Sequence, residues 1–187
     1  MSRAVLAFAV LPLLAVPARQ QTSWHASALA VDSAAAIPLD GNAPFEIYDG
    51  HGGLSAGASS RLLLDYAEPQ RSEILDYLFK PSFGASLHVN KIEIGGDTQS
   101  TDGTEASYKH FREEVPQCGI ERGYEMWLVS ESLKRNPDIQ TYLLSWGVPR
   151  WVGNGSYFSA ENIAYQVGYA DCVRKINPKG TPPTYIG

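Results

Sequence analysis

"ASLHVNKIEIGGD", Ala85 to Asp97, is the stretch on which the fold turns. Leu87–Ile94 is a short run rich in apolar and β-branched residues, and Gly95-Gly96 stops it, so it reads as a strand that ends in a tight turn. Before it lies "SSRLLLDYAEPQRSEILDYLFK", where Ile74/Leu78 and Leu75/Phe79 recur at helical spacing and Pro81 closes the run. Ahead of that helix, "FEIYDGHGG" reads as a first strand ending at Asp49-Gly50.

The same rhythm continues downstream. "ERGYEMWLVSESLKRN" is a second helix, with Tyr124, Trp127, Leu128, Met126, Val129 and Leu133 over a broad arc and Asn136-Pro137 as its stop. "IQTYLLSWG" is a third strand ending at Trp146-Gly147. "SAENIAYQVGYADCVRKIN" is a third helix, with Ser159 as N-cap and Ile163, Val167 and Ala170 along one side. "PPTYIG" opens a fourth strand.

Strands alternating with helices predict an α/β fold with a parallel sheet and right-handed crossovers. Both a doubly wound sheet and part of an eight-fold barrel fit the alternation. The first strand-helix turn, "DGHGGLSAGASS", misses the G-x-G-x-x-G spacing, which makes a dinucleotide fold the weaker choice. In a barrel, Asp49-Gly50, Gly96-Asp97 and Trp146-Gly147 would all lie at the mouth formed by the strands' C-terminal ends.

Composition narrows the setting. Fifteen basic against twenty acidic residues give a net charge of −5 with no basic run, which argues against a nucleic-acid partner. Residues 1–18 read as a signal peptide: Arg3 precedes the apolar run Ala4–Val16, and Val16 and Ala18 are the small residues of a cleavage site. That run is too short to cross a bilayer, which takes about 20 residues, and no later segment reads as transmembrane. Residues 19–43 form an Ala/Ser-rich leader with a short strand at Ala28–Val31, and 44–187 form the domain. Asn154-Gly155-Ser156 is a glycosylation sequon in a Gly-rich loop.

The two cysteines invite a disulfide in an oxidising compartment. Cys118 precedes the second helix near the mouth, whereas Cys172 lies well down the third helix, about 20 Å lower at 1.5 Å per residue. A bond needs Cα atoms within about 7 Å, so the expectation is no Cys118–Cys172 bond.

The loop "GGDTQSTDGTE" leaves three readings open: an acid/base pair, a metal cradle, or a solvated turn built on Asp97, Asp102 and Glu105. It lacks the regular order of a calcium loop, and no His-x-x-x-His or Cys-x-x-Cys spacing occurs, so neither a metal nor a cofactor is expected. Trp127 reads as core and Trp151 as either core or sugar platform. His88 reads as a hydrogen-bonded core histidine, while Glu93 in its strand requires a partner, with Lys91 on the same face as one candidate.

Four segments carry a resemblance: "DGHGGLSAGASSRLLLDYAEPQRSEILDYLFKPSFGASLHVNKIEIGGDTQSTDGTE", "RGYEMWLVSESLKRNPDIQTYLLSWGVPRWVGNG", "ENIAYQVGYA" and "YIG". From about Phe45 onward the chain resembles the amino-terminal part of glycoside hydrolase family 59, the galactocerebrosidases. The resemblance implies a partial (β/α)8 TIM barrel comprising the first three βα units and the start of the fourth strand. It implies a lysosomal, retaining galactosylceramidase of sphingolipid catabolism, with a galactosylceramide-type glycolipid as substrate. A lipid-presenting saposin is a further family expectation.

By the same resemblance Thr101 corresponds to a residue whose hydroxyl meets the galactose, and Trp146 to a sugar-contacting indole. Relative to the family's usual "PWSFPGW", this chain differs at Ser145, Gly147, Val148 and Arg150. The resemblance puts the acid/base Glu just after "YIG" and the nucleophile further on, so no catalytic residue is expected within this chain. The alternative to an enzyme's amino-terminal part is a truncated, catalytically inactive sugar-binding product or an incomplete gene model.

Overall fold

In the computed structural model the described residues are 40–42, 46–57, 61–99 and 103–187. The signal peptide, the strand expected at Ala28–Val31 and Thr101 lie outside them. The chain divides into two units at Phe45/Glu46. In the first, Asn42 N–H donates to the Asp40 carboxylate at 2.9 Å; all that follows concerns Glu46–Gly187.

Four strands, β1 (Gly52–Leu54), β2 (Val89–Glu93), β3 (Gln140–Leu144) and β4 (Tyr185–Ile186), form one sheet in the order β1-β2-β3-β4. Every pairing is parallel, with Val89 beside Gly52 and Gln140, and Tyr142 beside Lys91 and Tyr185. The order never reverses, and reversal is what defines a doubly wound sheet. The crossovers supply α1 (Arg61–Asp65), α2 (Gln70–Phe79), α3 (Tyr124–Arg135) and α4 (Ala160–Ile176), with a short 3-10 turn at Val152–Gly155.

The pleat explains which face the helices cover. Asn90 and Ile92 on β2, and Thr141 and Leu143 on β3, are buried alternately and look towards the helices. Asn90 Nδ2 donates to Ser132 Oγ of α3 at 3.4 Å. Ile92, Leu143, Val129 and Val173 are fully or almost fully buried in the resulting core. On the opposite face, Lys91 Nζ sits 4.7 Å from the centroid of the Tyr142 ring. Lys91 therefore lies against an aromatic ring, and Glu93 takes the N–H of Gly57.

Three expectations are corrected in detail. The first strand starts after, not before, Asp49-Gly50. Glycine was read as a strand stop, but Gly52 pairs with Val89 so closely that a Cβ there would strike the Val89 carbonyl. Asp49-Gly50 thus lies at the end of β1 opposite the mouth. The segment read as one helix is two, divided around the cis Glu68-Pro69 peptide. On α4, Ile163 and Val167 are 67% and 60% exposed, and the buried side is Tyr165, Tyr169, Cys172 and Val173. Tyr165 and Tyr169 win that side because their hydroxyls donate to Gly95 O at 2.5 Å and Glu93 O at 3.1 Å.

The cysteine expectation is overturned outright. Cys118 and Cys172 form a disulfide with their Cα atoms 4.8 Å apart. The premise that Cys118 stays at the mouth fails, because the connection before α3 leaves the mouth and lies lengthwise on α4. Arg112 pairs with Glu161 in the first turn of α4, and the Tyr108 ring lies 4.9 Å from Tyr165 and 6.1 Å from Tyr169. Cys118 then reaches Cys172 lower on the same helix.

This bond spans 54 residues, so its loss frees a long loop in the unfolded chain. Cys118→Ser is expected to lower stability by about 2–4 kcal/mol, read as a lower urea midpoint. An unchanged midpoint would show that the crosslink adds nothing to the fold.

Candidate functional site

The C-terminal ends of the strands deliver three backbone segments to one rim: Ser55–Gly57 after β1, Gly95–Asp97 after β2 and Ser145–Gly147 after β3. The last two interlock. A Cβ on Gly96 would collide with the Gly147 carbonyl, and one on Gly147 would stand 2.7 Å from Thr98 Oγ1. Gly96 therefore requires glycine for close approach, whereas a side chain at Gly147 would need the Thr98 hydroxyl to turn aside.

Trp146 sits on that rim with 52% of its surface exposed. Its flanks are fixed rather than its ring: Ser145 Oγ donates to Gly147 O at 3.0 Å, and Tyr157 OH donates to Ser145 O at 3.3 Å. The indole thus presents an apolar face and an N–H from an anchored backbone.

The loop after β2 closes at its neck on Asp97. This residue adopts φ +55°, its N–H donates to Glu105 O at 3.1 Å, and its carboxylate accepts from Ser107 N–H at 2.8 Å and Ser107 Oγ at 2.5 Å. His110 Nδ1 lies 2.9 Å from both carboxylate oxygens. Farther out, Gln99 and Thr104 form an antiparallel bridge. Thr101 and Asp102 belong to this loop but lie outside the described residues.

Ser107, His110 and Asp97 have the composition of a nucleophilic triad without its order. The hydroxyl and Nδ1 both point at the same carboxylate, and Ser107 Oγ meets that same Nδ1 at 3.3 Å, so a single ring nitrogen faces both serine and acid and the two-nitrogen relay of a triad is not formed. The cluster is a latch.

Beneath the rim lie three fully buried carboxyl side chains, Glu93, Glu105 and Glu125. Ser55 Oγ donates to Glu125 Oε1 at 2.7 Å, and Gly57 N–H donates to Glu93 Oε2. Glu125 N–H, at the start of α3, donates to Glu105 Oε1 at 3.1 Å. Burial raises the Glu105 carboxyl from its ordinary value to about 7, with the charges of Glu93 and Asp97 pushing the same way and two backbone N–H groups opposing. Tyr169 is pushed well above the ordinary phenol value, chiefly by burial and then by all three glutamates. Sequence reasoning marked Glu93 as needing a partner but missed the burial of Glu105 and Glu125. The available signal was the glycines beside them, Gly95 and Gly123, which leave room for a side chain.

Other candidates take structural places. Trp127 is partly buried against the core. Trp151 donates its indole N–H to Lys109 O at 3.3 Å, and Lys109 Nζ and the Arg112 guanidinium lie 5.3 and 5.6 Å from its ring, so its face is already in use. His88 is exposed rather than core, edge-on to His51 at 4.9 Å, because it precedes β2 at the end opposite the mouth. Asn154 is exposed with φ +51°, and Arg150 is exposed beyond Trp146. Among the described residues no group of His, Cys, Asp and Glu is arranged to hold a metal ion, and no helix is long and apolar enough to cross a membrane.

Comparison with known proteins fits this geometry. The family model described as glycosyl hydrolase family 59 matches residues 48–177. The chain belongs to glycosyl hydrolase family 59. It is 48% identical over 155 residues to a galactocerebrosidase of Danio rerio, covering 74% of this chain and 23% of that protein. To the galactocerebrosidase of Salmo salar it is 60% identical over 109 residues, covering 58% and 16%. To that of Homo sapiens it is 52% identical over 124 residues, covering 64% and 18%. The chain therefore spans less than a quarter of the length of these family 59 relatives. Among solved structures, an endo-β1,6-glucanase superposes with TM-score 0.54 at 18% identity, covering 76% of this chain and 35% of that one. SrfJ from Salmonella typhimurium superposes with TM-score 0.55 at 15% identity, covering 74% and 33%. These two likenesses concern the fold alone.

Asp97→Ala removes the acceptor shared by Ser107 and His110. The expected result is a local loss of about 1–3 kcal/mol at the neck, with exchange at Ser107 accelerated far more than at the core amide of Leu143. Unaltered exchange at Ser107 would show that the latch does not hold the neck.

Proposed function

We propose that this chain is the amino-terminal part of a (β/α)8 barrel that removes β-galactose from galactosylceramide with retention, as a lysosomal step of sphingolipid breakdown. The observation that carries the reading is the exposed, backbone-anchored indole of Trp146 on a rim shared with the Thr98 loop, in a chain of family 59. The sequential strand order supports a barrel, since each strand adds to the same growing edge. Trp146 meets the apolar C–H face of galactose, and its N–H meets one sugar oxygen. Thr101 offers a hydroxyl that both donates and accepts.

Retaining hydrolysis uses two carboxyl groups about 5 Å apart that flank the scissile bond. The described carboxyl groups nearest the rim do not serve: Glu93, Glu105 and Glu125 are wholly buried, and Asp97 is held by Ser107 and His110. The family resemblance puts the acid/base glutamate just after Tyr185-Ile186-Gly187 and the nucleophile further on, and on that reading the 187-residue chain alone binds sugar without cleaving it. Residues 1–18 are its secretory address, Asn154 its glycan acceptor, and a saposin presents the lipid.

Titration with galactose is expected to perturb the chain's tryptophan fluorescence, and Trp146→Ala abolishes that response. Trp146→Phe retains a ring but loses the N–H, weakening binding by roughly tenfold, the worth of one hydrogen bond at about 1.4 kcal/mol. Incubation with a chromogenic β-galactoside yields no product. Release of galactose by the purified chain, or a full response in Trp146→Ala, would overturn the reading.

A further inference from the structure

Glu105 has no part in the chemistry proposed above, yet its surroundings are built closely around it. Its side chain runs between Gly95, at the end of β2, and Gly123, immediately before α3. A Cβ on Gly123 would strike Glu105 Oε1, and one on Gly95 would meet the Ala106 carbonyl and stand 3.1 Å from Glu105 Cγ. At its far end Oε1 accepts from the first N–H groups of α3, with Glu125 N at 3.1 Å. At its near end the Glu105 carbonyl accepts from Asp97 N–H and closes the neck of the β2 loop. One residue thus ties that neck to a helix.

We propose that Glu105 is a positioning residue: its neutral carboxyl braces the neck of the β2 loop, at Asp97 and Ser107, against the N-terminus of α3, setting that neck for a galactoside in acid and loosening it at alkaline pH. The galactoside part rests on the function proposed above; the brace itself does not.

The neutral form follows from the surroundings. Glu105 is fully buried, and its Oε2 has no hydrogen-bond partner among the described residues. An anion there would be deprived of water on one oxygen. The titratable groups that face it are Glu93 from β2, Asp97 just beyond β2, Glu125 from α3 and Tyr169 from α4, none of which is a cation. Arg122, on the segment leading into α3, is held by both Glu114 oxygens at 2.9 and 2.8 Å and by Ser107 O at 2.7 Å. The carboxyl's rise to about 7 agrees. Because the folded value lies above the ordinary one, the brace is at full strength below about pH 4.5 and is lost as pH rises through 7. Ionisation sets Glu105 against Glu93 and Asp97 and loosens the Asp97 N–H bond.

The test is amide-exchange protection at Asp97 and Ser107, corrected for intrinsic rates, across the range from mild acid to mild alkali. In the unmodified chain protection is expected to fall at least about tenfold through neutrality. Glu105→Gln, a permanent neutral mimic, removes that fall, and Gly123→Ala, which displaces the side chain without altering charge, gives low protection throughout. A Glu105→Gln chain that follows the unmodified pH course would overturn the proposal, as would a flat profile in the unmodified chain. Should Glu105→Gln fail to fold, infrared spectra of the unmodified chain decide: a protonated carboxyl band below neutrality that titrates out above it supports the brace, and no such band refutes it. If galactose leaves Trp146 fluorescence unperturbed at every pH while the exchange pattern holds, the galactoside reading falls and the brace stands.

Discussion

The end of β2 is the place to which other parts of the unit are fastened, chiefly through its main-chain groups and the Glu93 carboxylate. Tyr169 and Tyr165 of α4 donate to the carbonyls of Glu93 and Gly95, while Ile94 N–H reaches back to Leu144 of β3 at 2.8 Å. Gly57, from the segment after β1, donates to the Glu93 carboxylate, and Gly96 lies against Gly147 beyond β3. Contacts from both neighbouring strands and from α4 therefore converge on four residues, Glu93 to Gly96. Two of these, Gly95 and Gly96, have no side chain because other backbones occupy the space. Substitution at either would displace the rim before it disturbed the core.

The connection between β2 and α3 extends that fastening across the helices. Its first limb is latched by Asp97 to Ser107 and His110, its middle by Arg112 to Glu161 and to Trp151 O, and its last limb by Cys118 to Cys172. Arg122 then closes the segment on Glu114 and Ser107. A long loop gains a fixed course by meeting α4 at several heights rather than by forming regular structure of its own.

Much of the architecture was legible in the sequence because it depends on local pattern. The alternation of strand and helix, the stop at Gly95-Gly96 and the Ser159 cap are local: Ser159 Oγ accepts from Asn162 N–H at 3.1 Å as its residue type predicts. What could not be read depends on distant partners. Ile163 and Val167 look like the buried side of α4 until the tyrosine hydroxyls find carbonyls on another element. Cys118 looks remote from Cys172 only if its loop stays where the strand delivered it. Trp146 was singled out by resemblance alone, and the structure has it exposed on the rim. The burial of Glu105 was hard to read because its only sequence sign, Gly95 and Gly123, lies on two separate segments that meet only in the fold.

The Cys118–Cys172 linkage also has a direction in time. The two thiols are separated by 54 residues, and the second lies in the last turns of α4. As the polypeptide emerges from the ribosome, Cys118 appears first and has no mate until β3 and most of α4 have been made. The seam along α4 is therefore sewn only after the third strand is available, so covalent closure follows the making of β3 rather than guiding it.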